Sequence, residues 1–249
     1  MERLDVQHVA IRKAMNGNHL ARIVGPGHIL DVGCGTGQWA YEICAEFPDS
    51  MVVGLDLKPS KPAPPPNYRY VESNVLQGLP FADGQFDFVH QRLLISGLPL
   101  RYWPAEVAEL VRVTRPGGWV ELHESSPAIE PEGPATNQLY DLIRQLGQSA
   151  GLDVLGEVFG SLDRFLAQAG ARVDEARTLE VPIGNWAGTV GSLMVTDYRA
   201  LFTGLAPVFE DRYGLRQAEC QDLVTAMLVE FEELQPIVRA KVAVGHRPR

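Results

Sequence analysis

Residues 28–37 read HILDVGCGTG and residues 51–56 read MVVGLD. A short β-rich run ends in a turn with glycine at 33, 35 and 37. A segment from Gln38 to Phe47 follows with apolar residues on a helical repeat, and Pro48 and Asp49 stop it before the second β-rich run. Strand, glycine turn, helix and strand in that order make a βαβ unit, and so a parallel sheet.

The alternation continues outward. Further strands are expected at 68–73 (YRYVES), 86–91 (FDFVHQ), 118–124 (GWVELHE), 172–181 (RVDEARTLEV) and 236–245 (PIVRAKVAVG), which gives seven with the first two. Pro104 opens a helix whose Val107, Leu110 and Val111 share a face, and the Pro116-Gly117-Gly118 turn feeds the next strand. Leu139, Leu142, Ile143 and Leu146 mark an amphipathic helix over 136–150, and a shorter helix over 161–169 ends at Gly170. The stretch 184–234 is mainly helical and too long for a simple crossover. It reads as a helical cap inserted between the last two strands, where substrate selectivity is expected. Successive prolines make the KPAPPP run at 61–66 extended. The whole chain, 1–249, is expected to be one α/β domain.

Composition narrows the function. The chain has 249 residues, 45% hydrophobic and 21% charged, enough apolar material for a sizeable core. With 22 basic against 31 acidic residues, the net charge of -9 opposes broad contact with a phosphate backbone, so no nucleic-acid partner is expected. No run of 18 apolar residues occurs, and the first 20 residues lack an uninterrupted apolar stretch. A cytoplasmic protein with no membrane partner is expected. Cys34, Cys44 and Cys220 form neither a disulfide framework nor a CxxC metal pattern.

The glycine turn carries the chemistry. Its G-x-G-x-G spacing, with Asp31 two residues ahead, departs from the G-x-G-x-x-G of dinucleotide sites. Asp56 closes the second strand, where its carboxylate can accept two ribose hydroxyls, a helix-cap role being the alternative. Asn74 follows the third strand and either reads an adenine edge or forms an Asx turn.

ILDVGCGTG, VVGLDL, ESNVLQGLPFADGQFDFVH and LVRVTRPGGWVELHE, in that order over 24–124, resemble the class I S-adenosylmethionine-dependent methyltransferases. RLDVQH, GQWAYEICAEFPDSMVVGLDL, FDFVHQRLL and VAVGHRP are similar to the LaeA-type group, associated with secondary metabolism. The resemblance implies a Rossmann-like seven-stranded sheet of order 3-2-1-4-5-7-6, with the last strand antiparallel and the helical cap between strands six and seven. It implies S-adenosylmethionine as cofactor. Gly33, Cys34 and Gly35 would line its methionine portion and Asp31 would anchor the turn. Asp56 would bind ribose with Leu57 beside it, Asn74 and Val75 would meet adenine, and His90 and Gln91 would border the methyl donor. No NPPY sequence supports methylation of a nucleobase amine.

Methyl transfer from a sulfonium needs the acceptor held in line more than it needs a dedicated catalyst. For a hydroxyl acceptor, His90 and His123 are the candidate proton acceptors because both follow strand C-termini, local hydrogen bonding being their alternative role. Glu121 and Glu124 flank His123 and either orient it or bind a polar substrate, and strand alternation separates their directions. Arg92 is a candidate for a substrate carboxylate, with a surface ion pair as the alternative. Trp186 is a candidate aromatic wall. His123 and Glu124 lack the HExxH geometry, so no metal is expected, and no G-x-S-x-G elbow suggests a hydrolase. The expected function is methylation of a small-molecule acceptor, at oxygen ahead of nitrogen or carbon. The alternative is a cofactor-binding regulator acting through a protein partner, and either leaves room for a homo-oligomer.

Overall fold

The computed structural model describes residues 2–58 and 63–249. Seven strands, β1 (His28–Val32), β2 (Met51–Asp56), β3 (Tyr68–Glu72), β4 (Phe86–Arg92), β5 (Thr114–Glu130), β6 (Arg172–Pro182) and β7 (Ile237–His246), form one sheet of order 3-2-1-4-5-7-6. The β1–β2, β1–β4, β2–β3 and β4–β5 pairs are parallel. β7 runs against β6, since Asp174 meets His246 at one end while Ile183 N donates to Pro236 O at the other. The expected order and antiparallel last strand are therefore observed.

The chain divides into two compact units. The first holds residues 17–125, 151–178 and 240–249. It contains α2 (Gln38–Glu46), α3 (Trp103–Val113) and α5 (Glu157–Gln168) with the parallel part of the sheet. Strand alternation gives this sheet two different faces. Leu30, Val32, Val89, Val120 and Leu122 pack with Val107 and Leu110 of α3 and Leu162 and Leu166 of α5 in one buried cluster. Burying each such side chain contributes roughly 1.5–3 kcal/mol. Asp31, His90 and Glu121 alternate with these residues and stand side by side on the other face, Asp31 opposite His90 and His90 opposite Glu121.

The second unit holds residues 1–16, 126–150 and 179–239. It contains α1 (Arg3–Met15), α4 (Pro134–Ser149), α6 (Gly188–Tyr213) and α7 (Gln217–Leu234). Asp197 of α6 accepts from Arg3 and Gln7 of α1, and Glu230 of α7 accepts the Ala135 and Thr136 amides at the start of α4. The latter contact satisfies helix N–H groups that have no intrahelical partner. Tyr140, Tyr198, Phe202 and Phe231 fill the interior between α4, α6 and α7.

Three local differences from the sequence expectation have physical causes. α1 carries buried Asp5 and His8 on its inner face, which blurs the apolar periodicity that would have announced it. β5 is longer than 118–124 because the Pro-Gly-Gly segment is a bulge inside the strand. The register jumps from Phe86 opposite Thr114 to Phe88 opposite Trp119, with Gly117 at φ 77. Of the run expected to be extended, Lys61 and Pro62 lie outside the described residues, and Ala63 takes a left-handed φ of 59.

Candidate functional site

The glycine turn is fastened to β2 at both levels of its backbone. Gly33 N and Cys34 N donate to Leu55 O at 2.8 and 3.1 Å, and Gly35 N donates to Asp56 Oδ2 at 2.8 Å. Gly33 sits at φ 70 and Gly35 at φ 54, where a side chain would strain the turn. The other carboxylate oxygen of Asp56 accepts Leu57 N at 2.7 Å, and Tyr70 Oη donates to the Asp56 carbonyl at 2.8 Å. Each Asp56 oxygen retains acceptor capacity beyond one amide. Leu57 is 61% exposed beside it. Burial and the Asp31 charge push the Cys34 thiol far up, so Cys34 lines the turn as a thiol rather than a nucleophile.

Below the turn, the polar face of the sheet holds a row of ionisable groups. His90 Nδ1 donates to Asp31 Oδ1 at 2.8 Å, and its ring stacks on Trp39 at 3.7 Å with planes 7° apart. Trp39 in turn donates Nε1–H to Asn18 O at 2.8 Å. Glu121 Oε2 accepts both Leu20 N and Ala21 N at 2.8 Å, and burial pushes this carboxyl up to about 7. Burial lowers the Arg92 guanidinium against the opposing charges of Asp31, Glu121 and Glu42. Arg92 thus shares its surroundings with the protein's own carboxylates.

His123 stands opposite Arg92 on this face and is 1% exposed. Neither ring nitrogen has a hydrogen-bond partner among the described residues. Burial first, then the nearby Arg92 and His90, hold it well below the usual histidine range, so it is neutral.

Gln91 and Glu124 point to the opposite face. Gln91 is 1% exposed, and neither atom of its carboxamide has a partner among the described residues. Glu124 uses both carboxylate oxygens, Oε1 accepting Leu94 N at 2.7 Å and Oε2 accepting Ile95 N at 3.2 Å. Burial and the Asp153 charge push it up to about 8 against those two hydrogen bonds. Alternation therefore separates Glu124 from Glu121 and His123.

Asn74 Oδ1 caps the 3-10 turn Val75–Gln77 by accepting Leu76 N at 3.0 Å. That is the Asx-turn geometry, and it leaves the amide nitrogen as the side chain's donor. Trp186 lies in the helical unit, 40% exposed, with Nε1 donating to Ile183 O and Phe231 O at 3.2 and 3.1 Å. Sequence reasoning missed Trp39, Glu42 and Leu94. Trp39 follows the glycine turn by two positions, and an aromatic so close to the turn was the available signal. Among the described residues, no group of three or more His, Cys, Asp or Glu could hold a metal ion, and no helix is long and apolar enough to cross a membrane.

Comparison with known proteins agrees with this geometry. The family described as a methyltransferase domain matches residues 29–118. Methyltransferase str3 of Strobilurus tenacellus is 37% identical over 121 residues, 48% of this chain and 43% of that protein. The secondary metabolism regulator laeA of Coprinopsis cinerea is 43% identical over 97 residues, 38% of this chain and 24% of that protein. The chain spans about half the length of these curated relatives or less. Haemonchus contortus phosphoethanolamine N-methyltransferase 2, solved with phosphomonomethylethanolamine and S-adenosylhomocysteine, shares the fold. Its TM-score is 0.56 at 13% identity, over 98% of this chain and 58% of that one. By its matched domain over residues 29–118, its relatives and its strand order, the chain resembles the class I S-adenosylmethionine-dependent methyltransferases and is similar to the LaeA type.

Proposed function

We propose that the protein transfers the methyl group of S-adenosylmethionine to the hydroxyl of a small molecule in secondary metabolism. The methyl-donor site fits that cofactor on the protein's own terms. A glycine turn opens at the carboxyl end of β1, an aspartate with spare acceptor capacity ends β2, and near the end of β4 the buried Gln91 carboxamide has no hydrogen-bond partner among the described residues. A buried polar group without a partner calls for a ligand or water. Asp56 would accept the ribose hydroxyls, Leu57 would pack beside them, and the turn at Gly33, Cys34 and Gly35 would line the methionine portion. The Asn74 amide nitrogen and the Val75 backbone would meet adenine, and Gln91 would meet the polar end of the methionine. When bound, S-adenosylmethionine supplies an electrophilic methyl on a sulfonium, so the protein's task is alignment and handling of the acceptor proton.

The observation that carries the oxygen preference is His123, buried, neutral and without a hydrogen-bond partner among the described residues. A neutral imidazole can accept the proton of a hydroxyl as charge develops during transfer. His90 is a positioning residue in this reading, since Asp31 and Trp39 hold its ring. Arg92, next to His123 in register, stabilises negative charge on an acceptor oxygen.

The test is acceptor-dependent release of S-adenosylhomocysteine across a panel of phenols, alcohols, amines and carbon acids, with the methylated atom located by mass spectrometry. Oxygen-methylated product supports the reading, and nitrogen or carbon product overturns the oxygen preference. Release from no acceptor by protein that binds the cofactor product overturns the enzymatic reading in favour of action through a protein partner.

A further inference from the structure

The segment after β4 reverses direction through an unusual backbone. Leu93 takes φ 55, a left-handed conformation that leucine rarely adopts and that persists only when its surroundings hold it. Three hydrogen bonds hold this reversal from β5. Leu93 N donates to His123 O at 2.9 Å, Leu94 N to Glu124 Oε1 at 2.7 Å and Ile95 N to Glu124 Oε2 at 3.2 Å. Beyond them, Gly97 N and Leu98 N both donate to Leu94 O at 2.9 Å, and fully buried Leu98 anchors the far end. The outcome is a fixed place for one side chain. Leu94 Cδ1 lies 2.8 Å from where a Cβ on Gly33 would stand, so Leu94 occupies the space that the missing side chain of the glycine turn leaves.

We propose that Glu124 is a positioning residue: its carboxylate clamps the Leu94 and Ile95 amides so that Leu94 closes over Gly33 and forms the wall against the methionine end of the methyl-donor site. This rests on the methyltransferase reading above and assigns Glu124 a role apart from contact with the acceptor. The carboxylate form accepts both amides. A protonated carboxyl turns a donor toward one of them, so the clamp is complete only when Glu124 is ionised. The charged group that faces it is Asp153, ahead of α5, while His123 is neutral and points to the other face of the strand.

Calorimetric titration with S-adenosylhomocysteine and hydrogen exchange at the Leu94 and Ile95 amides test this in wild type, Glu124→Gln, Glu124→Leu and Leu94→Ala. Glu124→Gln keeps one acceptor, and its affinity is expected to fall about tenfold, with a larger fall in Glu124→Leu. Exchange at both amides should accelerate by at least about tenfold in Glu124→Gln, while the melting temperature stays within about 4 °C of wild type. Wild-type affinity should rise with pH as Glu124 ionises, and Glu124→Gln should be flat over the same range. Leu94→Ala should weaken binding while leaving exchange at Ile95 slow. Equal affinity and equal exchange in wild type and Glu124→Gln would overturn the proposal. Folded wild type that binds no S-adenosylhomocysteine would instead overturn the methyltransferase reading and the proposal with it. Should Glu124→Leu fail to fold, the glutamine and alanine variants decide the question.

Discussion

Asp31 and His90 meet through a 2.8 Å hydrogen bond between Oδ1 and Nδ1, with both side chains buried and the imidazole stacked on Trp39. The carboxylate can only accept, so it fixes the His90 tautomer with the proton on Nδ1. The pair joins the carboxyl-terminal part of β1, two residues before Gly33 of the glycine turn, to the neighbouring strand β4. His90→Ala removes both the N–H and the stacked ring and should destabilise the fold by about 3 kcal/mol in urea unfolding. A loss below about 1 kcal/mol would show that the bond does not hold the turn.

Gly54 has no room for a side chain. A Cβ there would stand 2.1 Å from Tyr68 Oη and 2.9 Å from Cys34 Sγ. Gly54→Ala should therefore destabilise by about 1–3 kcal/mol and weaken S-adenosylhomocysteine binding, because Tyr68 and Cys34 are displaced together. Tyr68→Leu in the Gly54→Ala background should recover part of both losses. Calorimetry and thermal unfolding of the two variants check this.

Glu106 on α3 is buried, one of its oxygens has no partner among the described residues, and burial with the Glu109 charge pushes it up to about 8. Its folded pKa is raised, so folding takes up a proton. Stability from this group is fullest below its unfolded pKa and is lost as pH rises toward 8. Glu106→Gln should stabilise the protein by about 1–3 kcal/mol at pH 8.5, with the gain shrinking toward pH 5. Melting curves of both proteins across that range give the comparison, and a gain independent of pH would contradict it.

His123 is held well below the ordinary histidine range, so it stays neutral through neutral and mildly acidic pH. Turnover of a hydroxyl acceptor should show no acid limb near pH 6.5 from this group. His123→Gln should lower kcat by about 10²–10⁴-fold while leaving S-adenosylhomocysteine affinity unchanged. An acid limb near 6.5 that vanishes in the variant would contradict the assignment of its charge state.

The sheet was legible because strand signals depend on local composition. β-rich runs between glycine, proline and helical segments placed each of the seven strands, and the glycine turn fell at the end of β1 as its spacing implies. Contacts made through backbone amides were not legible. Glu124 looks like a polar group beside a candidate base, yet both oxygens are taken by amides 29 and 30 residues away. Asn74 suits either adenine or a turn, and only coordinates show that Leu76 N occupies its oxygen. The left-handed Leu93 carries no signal at all, because leucine is the last residue a turn rule selects.

Whether the glycine turn and Asp56 form an S-adenosylmethionine site is decided by calorimetric titration with S-adenosylhomocysteine, with Asp56→Ala and NAD as comparisons. The wild type should bind saturably, the substitution should weaken binding at least about tenfold, and NAD should not bind. Folded wild-type protein that takes up no S-adenosylhomocysteine, or an Asp56→Ala variant that binds it equally well, would show that the turn and Asp56 do not form that site.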